Sequence, residues 1–228
     1  MLERSNQLAR RVLRRVAIPG AALLLSASGA SANTLISEIF YDAVGPDDGL
    51  LFVELSGQPG TVLDGLFLEG VNGSNGAVGP TVTLSGVIGI SGLFVVADET
   101  SGGTTGVLTP DLLANFDFQN GPDSIVLTDG VLALDAVGYG VFDVDEIFAG
   151  EGSAAVDVAA GQSLARLYAD VDTNDNAADF VVLEMPTPGT ANFMAVPEPS
   201  SGLLAGTGLF VLGWIRQRRR PVRMQRQS

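Results

Sequence analysis

Between Asn33 and Ala195 the chain is written in short apolar runs, each closed by turn-forming residues. "TLISEIFYDA", "LLFVELSG", "VLDGLFLEGV", "TVTLSG", "GLFVVAD", "DSIVLTDG", "VLALDAVGYG", "SLARLYAD" and "DFVVLE" are the clearest, and "GPDDG", "NGSNG" and "TDG" are among the separators. Apolar stretches of about four to eight residues suit strands, whereas packed helices need about ten or more. The runs are rich in Val, Leu, Ile and Phe, and no long window in this stretch repeats at helical spacing. Alternation in the first run puts Ile36, Glu38 and Phe40 on one face and Ser37, Ile39 and Tyr41 on the other. Asp129-Gly130 has the chemistry of a hairpin turn joining "SIVLT" to "VLALDAV". Nine short strands punctuated this way predict an all-β chain folded as a β-sandwich.

The two ends follow different rules. Met1 to Ala32 begins with five arginines in fifteen residues, continues through "VAIPGAALLLSA" and reaches Ala30-Ser31-Ala32. A basic start, an apolar run and small residues before a cleavage point predict a secretory signal helix. The run is too short for a spanning helix, which needs about 20 residues. Near the other end, Gly202 to Ile215 is apolar, with Trp214 at its boundary, and six arginines follow within Arg216 to Arg226. As a helix the run would be about 21 Å long against a hydrocarbon core of about 30 Å. It predicts a single marginal membrane helix with its basic end held on the cytoplasmic side. Val196, Pro197, Glu198 and Pro199, then the apolar run, then the arginines, resemble the PEP-CTERM sorting signal of Gram-negative bacteria. That resemblance implies an exosortase-type processing enzyme as partner and a transient inner-membrane intermediate. It also implies delivery to the cell surface or an extracellular matrix. The division expected is 1–32 signal peptide, 33–194 folded domain and 195–228 sorting signal.

Charge narrows the functions open to the domain. Asn33 to Ala195 holds 24 of the 26 acids and one of the twelve basic residues, a net charge of −23. Such a surface repels phosphate backbones, so nucleic acid is excluded as a partner. It suits divalent cations, basic partners or a salty medium. The chain has no Cys, His or Lys, which excludes disulfides, histidine acid–base chemistry, cysteine nucleophiles, ordinary zinc sites and Schiff bases. No Gly-x-Ser-x-Gly elbow and no P-loop lysine are present. The expectation is therefore a non-enzymatic protein with no catalytic residue and no required cofactor. A carboxylate-dependent glycan hydrolase is the competing class, because paired acids could serve it.

Two features stand out as site candidates. "DVDTNDNAAD" places oxygen donors at alternate positions, Asp170, Asp172, Asn174 and Asn176. Calcium loops use this spacing because a tight turn aims alternate side chains at one hard cation. The sixth-position glycine and twelfth-position glutamate of the EF-hand are replaced by Asp175 and Val181. The same residues could instead satisfy turn backbone groups. Arg166 is the domain's lone base, on the alternating run "SLARLY". It is expected to form a structural ion pair with a carboxylate, Glu54 or Asp179. A second acidic stretch, "FDVDEIFAGEG", with Asp143, Asp145, Glu146 and Glu151, reads as a solvated loop, with a cation or partner site as the alternative.

Three blocks, "LISEIFYDAVGPDDGLLFVELSG", "FQNGPDSIVLTDGVLALDAVGYG" and "GQSLARLYADVDTNDNAADFVVLEMPTPGTAN", resemble successive blocks of the lamin tail domain. Glu38, Phe52 to Leu55, Asp123, Tyr139, Arg166, Asp179 and Pro186 to Gly189 are among the matching positions. Ser56-Gly57-Gln58-Pro59 departs from the family's usual turn, and Gly70 to Gly92 matches poorly. The resemblance implies an immunoglobulin-like sandwich and, in bacteria, a secreted or surface module. Binding and assembly with an extracellular polysaccharide or protein matrix is the function it suggests. A permanently membrane-tethered adhesin is the alternative.

Overall fold

The computed structural model describes residues 34–194. The expected signal helix, the membrane helix and the Val196–Pro199 motif lie outside the described residues. Ten strands and one helical turn follow in order. They are β1 (Leu35–Phe40), β2 (Phe52–Ser56), β3 (Phe67–Asn72), β4 (Val78–Thr83), β5 (Leu93–Asp98), β6 (Leu112–Ala114), β7 (Asp123–Thr128), β8 (Ala133–Tyr139), β9 (Ser163–Arg166), α1 (Asn176–Asp179) and β10 (Phe180–Leu183). Each of the nine apolar runs overlaps a strand. The described domain is all-β with two sheets, as a β-sandwich requires. No helix among the described residues is long and apolar enough to cross a membrane.

One sheet has six strands in the order β10-β9-β1-β2-β5-β6, the other four in the order β4-β3-β7-β8. All pairings are antiparallel except β5 with β6. The core draws Ile36, Ile39, Val53, Leu55, Phe94, Val96 and Leu164 from the larger sheet. Leu68, Val82, Ile125, Leu127 and Val137 come from the smaller one. Tyr41 and Tyr139 stack at 4.2 Å between ring centroids. Both hydroxyls are used: Tyr41 Oη donates to Asp157 Oδ1 and Tyr139 Oη to the Gln119 carbonyl.

Two local expectations are corrected. Simple alternation in β1 fails because the register slips between Ile36 and Glu38. A bulge of this kind adds one residue and resets the period of two. Ile36 therefore joins Ile39 and Tyr41 in the core. The β7–β8 connection runs through Asp129–Leu132 rather than through two residues, since Thr128 pairs with Ala133. Asp129 Oδ1 accepts from the Val131 and Leu132 amides, and Gly130 takes the positive φ that the turn needs.

Candidate functional site

Arg166 closes β9 and turns a fully buried guanidinium into a ring of oxygens. Nη2 donates to Asp135 Oδ1 at 2.7 Å, Nη1 to Asp179 Oδ2 at 2.8 Å, and Nε to the Ile36 carbonyl at 2.9 Å. Asp172 stands farther off at 3.4 Å. The Phe180 ring lies 4.8 Å from the guanidinium carbon. Each carboxylate has further donors. Asp135 Oδ2 accepts from the Ile36 amide, and Asp179 accepts from the Thr173 amide and hydroxyl. A buried charge is tolerable when paired and hydrogen-bonded, and here each guanidinium nitrogen and both aspartates have partners. Because Asp135 is on β8 and Arg166 on β9, the ion pair ties the two sheets together. Of the two partners expected for Arg166, Asp179 is in contact and Glu54 is not. The Glu54 oxygens accept instead from Ser37 Oγ and the Gly189 amide.

Glu151 faces the same ring. One carboxylate oxygen from each of Asp135, Glu151 and Asp172 lies within 4.8 Å of the others, a spacing at which one hard cation could bridge them. Its Oε2 is buried without a hydrogen-bond partner. Burial first, then Asp135 and Asp172, push the Glu151 carboxyl up to about 7, with Arg166 opposing. Part of "FDVDEIFAGEG" is thus packed inward rather than solvated.

The alternating oxygens of the 170s do not gather around one point. Asp170 Oδ1 accepts from the Met194 amide, and Asp172 Oδ1 from the Asn174 amide. Asn174 holds a positive φ of 55°. Asn176 is fully buried and spent on backbone: Oδ1 accepts from Gly138 and Glu151 amides, and Nδ2 donates to the Ala136 carbonyl. The turn reading of this stretch accounts for Asn176 and Asp179, and the four-oxygen calcium loop does not. A Cβ on Gly150 would sit 2.5 Å from Asn176 Oδ1, which explains the glycine there.

A second buried acidic pair lies on the six-stranded sheet. Glu38 and Glu54 are direct cross-strand partners on β1 and β2. Glu38 accepts from Ser163 Oγ, the Thr187 amide and Thr187 Oγ1, at 2.6, 2.8 and 2.7 Å. Glu54 takes the Gly189 amide at 2.7 Å. Burial pushes the Glu54 carboxyl up to about 7; Ser37 and Gly189 oppose the rise, and Glu38 and Asp111 add to it. The segment after β10 is thus laid across the two glutamates.

Two open clefts have polar walls. One, of about 200 Å³, is lined by Asn72, Ser74, Gln119, Asn120, Pro122, Asp123 and Glu146. Asn72 Nδ2 donates to Gln119 Oε1, and Asp123 Oδ1 accepts from the Gly73 amide. The second, of about 350 Å³, is more acidic, with Asp47, Asp48, Asp98 and Asp117 around Phe116. Asp98 is committed to the fold, accepting from the Gly49 and Phe116 amides.

Sequence reasoning did not single out Asp135, Glu38 or the amide-lined cleft as site candidates, and it read Glu151 within a solvated loop. Asp135 and Glu38 had a signal, since each interrupts an otherwise apolar strand. Comparison of the chain with curated proteins finds no match, and comparison with solved structures finds none. Residues 195–220 match the PEP-CTERM protein-sorting motif. That motif indicates a protein exported to the cell surface in Gram-negative bacteria and processed by an exosortase.

Proposed function

We propose that the mature chain is a non-enzymatic, lamin-tail-like sandwich that works at the cell surface or in an extracellular matrix by binding and assembly. The observation that carries this reading is the match at 195–220, which begins directly after the last described residue of the β domain. The immunoglobulin-like character rests on the three lamin-tail-like blocks, which supply β1, β2 and β7 to β10 of the two sheets. Most buried polar groups are consumed by the fold, so ligand contacts fall to the surface. The amide-lined cleft suits a polyhydroxylated ligand such as a matrix glycan, because neutral sugars are held by mixed donors and acceptors. Divalent cations, calcium first, would aid assembly by bridging acidic faces of net charge −23.

The test is the intact mass of the protein from its host, taken by cell fraction. A surface or medium form ending near Pro197 to Pro199 supports sorting and release. A membrane form that keeps Arg216 to Ser228 replaces it with a tethered adhesin. The hydrolase reading has one observation on its side: Asp123 and Glu146 line the same cleft. Release of reducing ends from surface glycans, lost in Asp123→Asn and Glu146→Gln, would establish it.

A further inference from the structure

The segment that leads into the sorting motif is fastened along its length. After β10 the Thr187 amide and hydroxyl bind Glu38, and the Gly189 amide binds Glu54. Thr190 closes a turn onto the Thr187 carbonyl. The Ala169 amide donates to the Asn192 carbonyl at 2.7 Å, and the Met194 amide donates to Asp170 Oδ1 at 2.7 Å. The Phe193 ring is in range of Gly92, where a Cβ would meet it at 3.5 Å. Thr187 to Met194 is therefore a strap, anchored up to its last described residue.

Only Ala195 separates Met194 from Val196. Three residues of chain, about 11 Å at full extension, join the anchored Met194 to Pro197. Enzymes that process a peptide draw the flanking residues into an extended line, where their backbone groups pair with the enzyme. On the N-terminal side of this motif, those backbone groups already serve the domain: the Asn192 carbonyl and the Met194 amide are both engaged.

We propose that release of the Thr187–Met194 strap gates processing of the sorting motif. This rests on the exosortase reading above. Seated, the strap withholds the residues before Val196 from the processing enzyme. Unseated, it supplies them as a free leash. Processing then samples the fraction of molecules with the strap open, so rate follows that fraction. The seat is polar and follows the last strand of the described domain, so its local opening needs no global unfolding.

The experiment is a pulse-chase in the host on the full chain, with the processed product followed by mass. Three forms are compared with the parent. Asp170→Ala with Thr187→Ala removes two anchors, and faster hydrogen exchange at Gly189 and Met194 reports the opened strap. A flexible insertion of about eight residues between Met194 and Ala195 leaves every anchor in place and supplies a leash of roughly 25 Å. Pro197→Ala with Glu198→Ala and Pro199→Ala removes the motif. Gating predicts that the anchor variant is processed about fivefold faster, the scale set by losing one or two net hydrogen bonds, and that the insertion form, whose leash bypasses the seated strap, is processed at least as fast as the anchor variant. Parent-like rates in the insertion form, or slower processing there, would overturn gating. If the parent is not processed, or the motif variant is processed equally well, the sorting reading fails and the gate with it. A parent that is processed, beside an insertion form with unchanged rate, sinks the gate alone.

Discussion

Arg166 is the residue on which the domain's buried charge turns. It meets two buried aspartates, Asp135 and Asp179, and no other base lies between Asn33 and Ala195 to take its place. Arg166→Met should therefore cost about 3–5 kcal/mol in a urea titration, because it strands two carboxylates rather than removing a pair. Arg166→Lys should recover only part of this, since one ammonium cannot reach Asp135, Asp179 and the Ile36 carbonyl in the fork geometry. A midpoint within about 1 kcal/mol of the parent for the methionine form would show that the acids are protonated or hydrated instead. The sequence exposed this centre in part. A lone arginine among 24 acids must find a partner, and Asp179 is thirteen residues away along the chain. Asp135 showed only as an acid in an apolar strand; that it meets Arg166 depends on how the two sheets pack. The calcium reading of Asp170 to Asn176 was ambiguous in the sequence for a related reason. Oxygens at alternate positions also suit a turn that caps backbone groups, and only the fold shows Asn176 aimed at β8.

At the scale of elements, strands were legible wherever a run carried its own pattern. The strand that escaped was β6, three residues paired in parallel with β5. It has no alternation of its own and exists because β5 offers an edge. The bulge in β1 was equally silent, as a register slip leaves no mark in composition. The strap carries a pH prediction. The Glu54 carboxyl is raised in the folded state from its ordinary value near 4.5 to about 7. Its contribution is therefore full below about 4.5 and lost as pH rises through about 7. Stability should fall between pH 5 and pH 8 by on the order of 3 kcal/mol from this group alone. Glu54→Gln should flatten that part of the profile in a denaturant series. An unchanged slope in the glutamine form would assign the pH dependence elsewhere, Glu151 being the next group with a raised value.

For the whole molecule, self-repulsion is the dominant long-range term. Between about 0.01 M and about 1 M salt the screening length falls from about 30 Å to about 3 Å. The domain from Asn33 to Ala195 should gain several degrees of melting temperature across that range, read by calorimetry. A melting point indifferent to salt would mean that neighbouring acids are already neutralised by protons or bound cations. Calcium at equal ionic strength separates these, since only cation bridging responds to the choice of ion.

The Asn176 amide has a consequence for how such molecules could join. It binds the Gly138 amide and the Ala136 carbonyl, while Ala155 takes the next two backbone groups, the Gly138 carbonyl and the Gly140 amide. Together they act as a dummy strand along the free side of β8. The opposite border of that sheet carries Pro80 in β4, which offers no N–H. Among the described elements, β10 is then the one border of useful length left to accept a neighbour, since β6 has three residues. A unit with a single sticky side has a valence of one. Pairing by strand addition would stop at a symmetric couple and could not run on into a fibre. On the described residues, a continuous network would need contacts other than strand addition.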